Sequence, residues 1–130
     1  MFEASGLVFN PPEEVPRSRR ALEVTELARE RGLHEPVHTR LMRAYWSEAL
    51  NIGDDDILLS LVEEVGVDRA EADEALAGRR YEAQVEASTA SAHRLGINAI
   101  PAFVFADRLL LLGAQPHDQF ERAVAQVSAA

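Results

Sequence analysis

The sequence predicts an α/β fold that is mostly helical and contains one small β-hairpin. Up to about residue 95, apolar residues recur at helical spacing and are punctuated by glycine and proline. After Pro101 the period changes, and two short apolar runs, Ala102–Phe105 and Leu109–Leu112, flank a turn at Ala106 and Asp107, which favours a β-hairpin. Four leucines alone could equally form a buried helix. With 130 residues, of which 47% are hydrophobic, the chain is expected to form a single domain, residues 1–130.

Two helices are expected in the first third of the chain. Ser18 is a candidate N-cap for a helix that reaches Arg31 and is stopped by Gly32. A second helix is expected to begin near Pro36, because proline fits the first turn of a helix. Their predicted buried faces are Ala21, Val24, Leu27 and Ala28 for the first, and Val37, Leu41, Ala44, Tyr45 and Ala49 for the second.

Three further helices are expected before the hairpin. The acidic run Asp54–Asp56 precedes a helical stripe that Gly66 closes, and acidic residues favour a helix start. Asp68 with Glu71 resembles a capping box for a short helix to about Ala77. The longest helix is expected from about Arg79 to Leu95, and Gly96 ends it. After the hairpin, Pro116 is expected to start a last helix whose inward residues are Phe120, Ala123, Val124 and Val127.

The charge balance argues against two classes of partner. Thirteen basic residues against 22 acidic ones give a net charge of -9, so nucleic acid and anionic membranes are not expected to bind. The chain has no apolar run of the ~18–20 residues that span a bilayer, and its amino terminus does not resemble a signal peptide. A cytoplasmic location is therefore expected.

The chain contains no cysteine. Disulfides, thiolate catalysis and cysteine-ligated metals are therefore excluded within this chain. No cofactor is expected, and no catalytic residue can be assigned from residue chemistry alone.

The segment His34–His38 matches the letters H-E-x-x-H of zinc hydrolases, in which two histidines one helical turn apart bind the metal. Pro36 is expected to leave His34 outside the helix, so the match is interpreted as a solvated helix start, and no metal ligand is assigned. Asp54–Asp56 lacks the glycine and distal glutamate of a Ca²⁺ loop and is interpreted as a helix cap. Arg17, Arg19 and Arg20 are interpreted as a solvated face.

The order Gly96, Ile100-Pro101, Phe103-Val104, hairpin and Gly113–Pro116 resembles the DsbA-like thioredoxin superfamily. Ala44–Trp46, Asp54–Asp56 and Gly66–Asp68 are similar to the helical insertion of its FrnE-like branch, which is related to 2-hydroxychromene-2-carboxylate isomerases. The resemblance covers most of residues 17–127 and is most specific over 96–116.

The resemblance implies a thioredoxin-like fold with a helical insertion-like region at 17–95 and a cis-proline loop, hairpin and terminal helix at 96–130. It implies a cis bond at Ile100–Pro101 and a substrate-binding role for Ile100, Pro101 and Ala102. In the family a β-α-β unit with a Cys-x-x-Cys motif comes first, and this chain is expected to begin after it.

Three functions follow as hypotheses. The first is a DsbA/FrnE-like thiol–disulfide oxidoreductase that is inactive as this cysteine-free chain. The second is a non-catalytic module that binds an extended peptide or a second copy of itself. The third is a zinc hydrolase using His34 and His38. A homodimer through the Ala102–Phe105 strand edge is expected, because Phe103, Phe105, Leu110 and Leu112 would otherwise form an uncovered apolar patch; Leu7–Phe9 folding back as a substitute strand is the alternative.

Overall fold

The structure, a computed structural model, describes residues 3–129. After a short 3₁₀ turn at Glu3–Ser5, the order is five helices, two strands and a sixth helix. The bounds are α1 Arg19–Glu30, α2 His34–Trp46, α3 Asp55–Glu64, α4 Arg69–Ala77, α5 Glu82–Arg94, β1 Ala102–Phe105, β2 Leu109–Leu112 and α6 His117–Ser128. The described chain is therefore mostly helical with one small antiparallel sheet, as the sequence predicts.

The chain forms two compact units, the N-terminal one ending at Glu86 and the C-terminal one beginning at Ala87. The single-domain prediction is not tested by this division. In the N-terminal unit, α1 to α4 pack around a core centred on Leu27, Leu58 and Leu76. The predicted stripe of α1 is fully buried there.

Of the three predicted N-cap side chains, two cap their helices in the structure. The side chains of Asp54 and Asp68 accept hydrogen bonds from the Ile57 and Glu71 amides at 3.0 and 2.8 Å, which confirms both as N-caps. Ser18 precedes α1, but its side chain makes no capping bond, because its backbone is already helical (φ -87°, ψ -6°).

Two helix boundaries differ from the prediction. Helix α2 begins at His34, because the first-turn amides have no partner within a helix and proline at the third position loses nothing. It ends at Trp46, so Ala49 lies outside it, exposed and with a positive φ of 54°. Helix α5 begins at Glu82, because Arg79 has a left-handed φ of 50°.

In the C-terminal unit, β1 and β2 pair over the predicted residues, with Phe103 opposite Leu111 and Val104 opposite Leu110. Ala106 and Asp107 both have positive φ, as a type I′ hairpin turn requires. Helix α6 packs on both strands. Its Ala123 is buried, whereas Val124 is half exposed, so the expected inward position of Val124 was wrong.

No helix among the described residues is long and apolar enough to cross a membrane. The cytoplasmic location stays a prediction.

Candidate functional site

The loop between α5 and β1 carries the three predicted substrate-binding residues. Gly96 ends α5 with a φ of 79°, and the Ile100–Pro101 bond is cis, as predicted. Ile100 is 90% exposed, Pro101 is exposed, and Ala102 is half-buried at the start of β1. The loop therefore presents an apolar side chain to solvent directly before the strand. The binding role of these residues stays a prediction.

This loop is bonded to the turn that follows β2. The Gly113 amide donates to the Pro101 carbonyl at 2.7 Å, and Gln115 Nε2 donates to the Leu112 carbonyl at 2.8 Å. The loop before β1 and the turn after β2, which both contribute to the family resemblance, are therefore in direct contact. Pro101 has no amide to offer, so its carbonyl alone extends the ladder beyond β1.

One edge of β1 is open. Bonded and non-bonded residue pairs alternate along an antiparallel ladder. Pro101 bonds across to Gly113, so Phe103 continues the bonded set, and the amides and carbonyls of Ala102 and Val104 point to the other edge. Within residues 3–129 the sheet has two strands only, and nothing pairs with that edge. Two outward donors and two outward acceptors thus stand beside the cis-proline loop.

The two faces of the hairpin differ in how they are covered. Phe103 lies edge-on to Phe120 of α6, with ring centroids 4.8 Å apart, and Phe105 lies 6.4 Å from the same ring. Leu110 and Leu112 lie on the opposite face, because they pair with Val104 and Ala102. The expectation of one patch containing Phe103, Phe105, Leu110 and Leu112 was therefore wrong.

A groove that the sequence did not predict lies beside Ile100. It is open, has a volume of about 480 Å³, and lies between one side of α5 and the loop before Pro101. Neutral polar side chains and one histidine line it together with apolar ones: Ser88, Thr89, Ala92, His93, Ile97, Asn98, Ala99 and Ile100. Ser88 and Ala92 follow the helical spacing of α5 in the sequence, but spacing alone does not indicate a groove.

Among the described residues, the segment Leu7–Phe9 does not form a strand of the sheet, so the alternative that it folds back as one was wrong. Phe9 stacks on Trp46 with centroids 6.0 Å apart, Ser47 Oγ donates to the Val8 carbonyl at 2.8 Å, and the Asn10 amide donates to the Trp46 carbonyl at 2.7 Å. The segment therefore belongs to the N-terminal unit at the end of α2. Trp46 is half-buried there and does not enter the core.

His34 and His38 both lie in α2, so the expectation that Pro36 excludes His34 from the helix was wrong. Their rings are parallel to within 17° and 5.9 Å apart. Arg29 Nη2 lies 3.1 Å from His34 Nε2, where a cation would need the same lone pair. Among residues 3–129 no three histidine or carboxylate side chains are grouped to hold a metal. The structure thus supplies two histidines but no third zinc ligand.

The most unusual electrostatic environment lies in the N-terminal unit, at Glu23. Arg20 binds Asp55 through Nε and Nη2 at 3.0 and 2.5 Å and donates from Nη1 to the Leu76 carbonyl at 2.9 Å. The expectation that Arg20 belongs to a solvated face was therefore wrong. Its hydrogen bonds connect α1 with α3 and α4. Glu23 is 2% exposed, and its Oε2 has no hydrogen-bond partner within the described chain; Arg20 Nη1 lies 3.6 Å away. Burial raises the pKa of Glu23, against the opposing effect of Arg20.

Comparison with known proteins confirms the thioredoxin-like DsbA fold that the sequence predicts. The DSBA-like thioredoxin domain family matches residues 2–125. The chain is 35% identical over 127 residues to the uncharacterized protein YwbO of Bacillus subtilis (strain 168), across 95% of this chain and 63% of YwbO. It is also similar to the crystal structure of the probable DsbA oxidoreductase SCO1869 from Streptomyces coelicolor. There the TM-score is 0.83 and the identity 28%, over 98% of this chain and 56% of that one. The chain thus spans about three fifths of the length of these relatives.

Proposed function

Because the chain belongs to the DSBA-like thioredoxin domain family, we propose that it is a strand-binding member of this oxidoreductase family. It holds an extended polypeptide segment along β1, next to the Ile100–Pro101 loop, and does not itself exchange disulfides. Its place in the FrnE-like branch is part of the proposal and is supported by the helical region that precedes the loop.

The absence of redox activity is supported by composition. In thiol–disulfide exchange the attacking group is a thiolate, and none of the 130 residues is a cysteine. We therefore expect the purified chain to reduce insulin, in the presence of dithiothreitol, no faster than dithiothreitol alone. A faster rate would overturn this part of the proposal.

The open edge of β1 is the observation that carries the strand-binding role. The outward amides and carbonyls of Ala102 and Val104 can bond an added strand, as other sheet edges bind extended peptides. Ile100, 90% exposed, offers an apolar contact at the end of that edge. The groove beside Ile100 can receive one side chain of the bound segment.

Hydrogen exchange of single amides tests the role. When a strand binds, the Ala102 and Val104 amides should exchange at least tenfold more slowly, whereas the Phe103 amide, which already faces β2, should change little. The alkylated B chain of insulin serves as an unfolded ligand, and the chain itself is examined over a range of concentrations. Unprotected exchange of Ala102 and Val104 at every concentration of chain and ligand would contradict the role.

A further inference from the structure

The C-terminal unit buries very little of its apolar surface. Among residues 87–129 the one fully buried residue is Ala123. Exposed apolar side chains are present on the loop after α5, on β1 and on α6: Leu95, Ile100, Phe103, Val104 and Val124. A two-stranded sheet is marginal in water by itself, and the packing of α6 on this one leaves Phe103 and Val104 exposed. A short peptide would satisfy the edge of β1 but cover little of this surface, whereas another folded unit would cover much more.

The edge also lacks the charges that usually protect an exposed strand. No charged residue lies between Arg94 and Asp107. Charge divides unevenly between the two units: residues 1–86 contain ten arginines and 19 carboxylates, whereas residues 87–130 contain three of each. Two C-terminal units can therefore approach each other without net repulsion, which two N-terminal units cannot do.

From these observations we propose that the strand bound at β1 is β1 of a second copy of the chain. Two chains then form a four-stranded antiparallel sheet around a two-fold axis. The inference rests on the proposed function and names the partner. A two-fold contact uses the same surface on both copies, so it buries exposed apolar side chains of both C-terminal units.

The outward groups fix the register. Ala102 of one chain pairs with Val104 of the second copy, and each such pair exchanges two hydrogen bonds, so four bonds form across the axis. Phe103 then lies opposite Phe103 of the second copy as a non-bonded pair, with Cα atoms about 4.5 Å apart. The two Val104 residues are offset along the strands and lie more than about 7 Å apart.

The absence of cysteine lets disulfide trapping read this register directly. Disulfides need Cα separations of roughly 4.4–6.8 Å. Phe103→Cys should therefore form covalent dimers under mild oxidation, and Val104→Cys alone should not. Because Phe103 also packs on Phe120, a second arm avoids that side chain: mixing Ala102→Cys with Val104→Cys protein should give the mixed dimer, since these residues pair at about 5.5 Å. Ala70→Cys, on an exposed helix surface of the N-terminal unit, is the control for random collision.

Light scattering of the unmodified chain should give a mass of twice 14.3 kDa at micromolar concentration. Val104→Pro removes an outward amide and leaves the bonds to β2 intact, so it should yield monomer, while Val104→Thr should remain a dimer. A monomeric unmodified chain, or trapping no greater than in Ala70→Cys, would overturn the inference. Peptide-dependent protection of Ala102 and Val104 in that monomer would still leave the proposed function standing.

Discussion

Glu23 shows how one residue can oppose the packing around it. Four charged groups face it: Arg19 and Arg20 on α1, Asp55 on α3 and Glu82 on α5. Both carboxylates and the burial itself disfavour its ionised form, and the arginines favour it. The folded pKa is raised, so between the ordinary pKa of about 4.3 and that higher value the folded chain keeps a proton that the unfolded chain loses. Stability falls as pH rises through this window.

Glu23→Gln should therefore stabilise the chain in a pH-dependent way. Glutamine has no charge to bury, so the free energy of unfolding should exceed that of the unmodified chain by about 1 kcal/mol at pH 8, the lower range for an unsatisfied buried group. The gain should largely disappear near pH 4, where Glu23 is mostly protonated in both states. Urea unfolding at both pH values measures it. A gain that is equal at the two values would show that the carboxylate charge is not its cause.

The sequence could not predict the burial of Glu23. A buried helix face is identified from the spacing of its apolar residues, and Glu23 is not apolar. The predicted start of α2 was also wrong, and the cause is a single residue, Pro36. Proline was treated as a boundary that excludes His34, although at the third helical position its missing amide costs nothing.

At the scale of elements, proline, turn residues and glycine predicted boundaries that hydrophobic periodicity could not. The sequence predicts both strands of the hairpin with the observed bounds, because a proline, a short turn and a glycine flank them. The open edge of β1 is different: which of its amides point outward depends on the bond between Gly113 and Pro101, which joins segments 12 residues apart and leaves no local signal.

The N-caps give a matched test at the element scale. Asp68→Ala should cost about 1 kcal/mol of stability, because the Glu71 amide at the start of α4 loses its acceptor. Ser18→Ala should cost only a few tenths of that, because the Ser18 side chain caps nothing in α1. Thermal or urea unfolding compares the two, with the exposed mid-helix Asp73→Ala as control. Equal losses at Ser18 and Asp68 would contradict the cap assignment.

At the scale of the whole molecule, stability is distributed unevenly. Within residues 4–129, all the buried apolar residues except Ala123 belong to the N-terminal unit, where four helices surround one core. The C-terminal unit contains the loop, the open strand edge and the exposed apolar side chains. Residues 96–116, which carry the predicted function, therefore lie in the unit that buries the least apolar surface.

The uneven division of charge makes ionic strength diagnostic of how copies associate. Raising salt from about 0.1 M to about 1 M shortens the screening length from ~10 Å to ~3 Å. Each copy has a net charge of -9 that resides in residues 1–86, while the β1 strands of the proposed dimer are uncharged. Added salt should therefore reduce the repulsion between copies without weakening an attraction. The dimer dissociation constant, measured by sedimentation equilibrium, should therefore stay constant or fall across this range. If ion pairs held the interface, the dissociation constant would instead rise with salt.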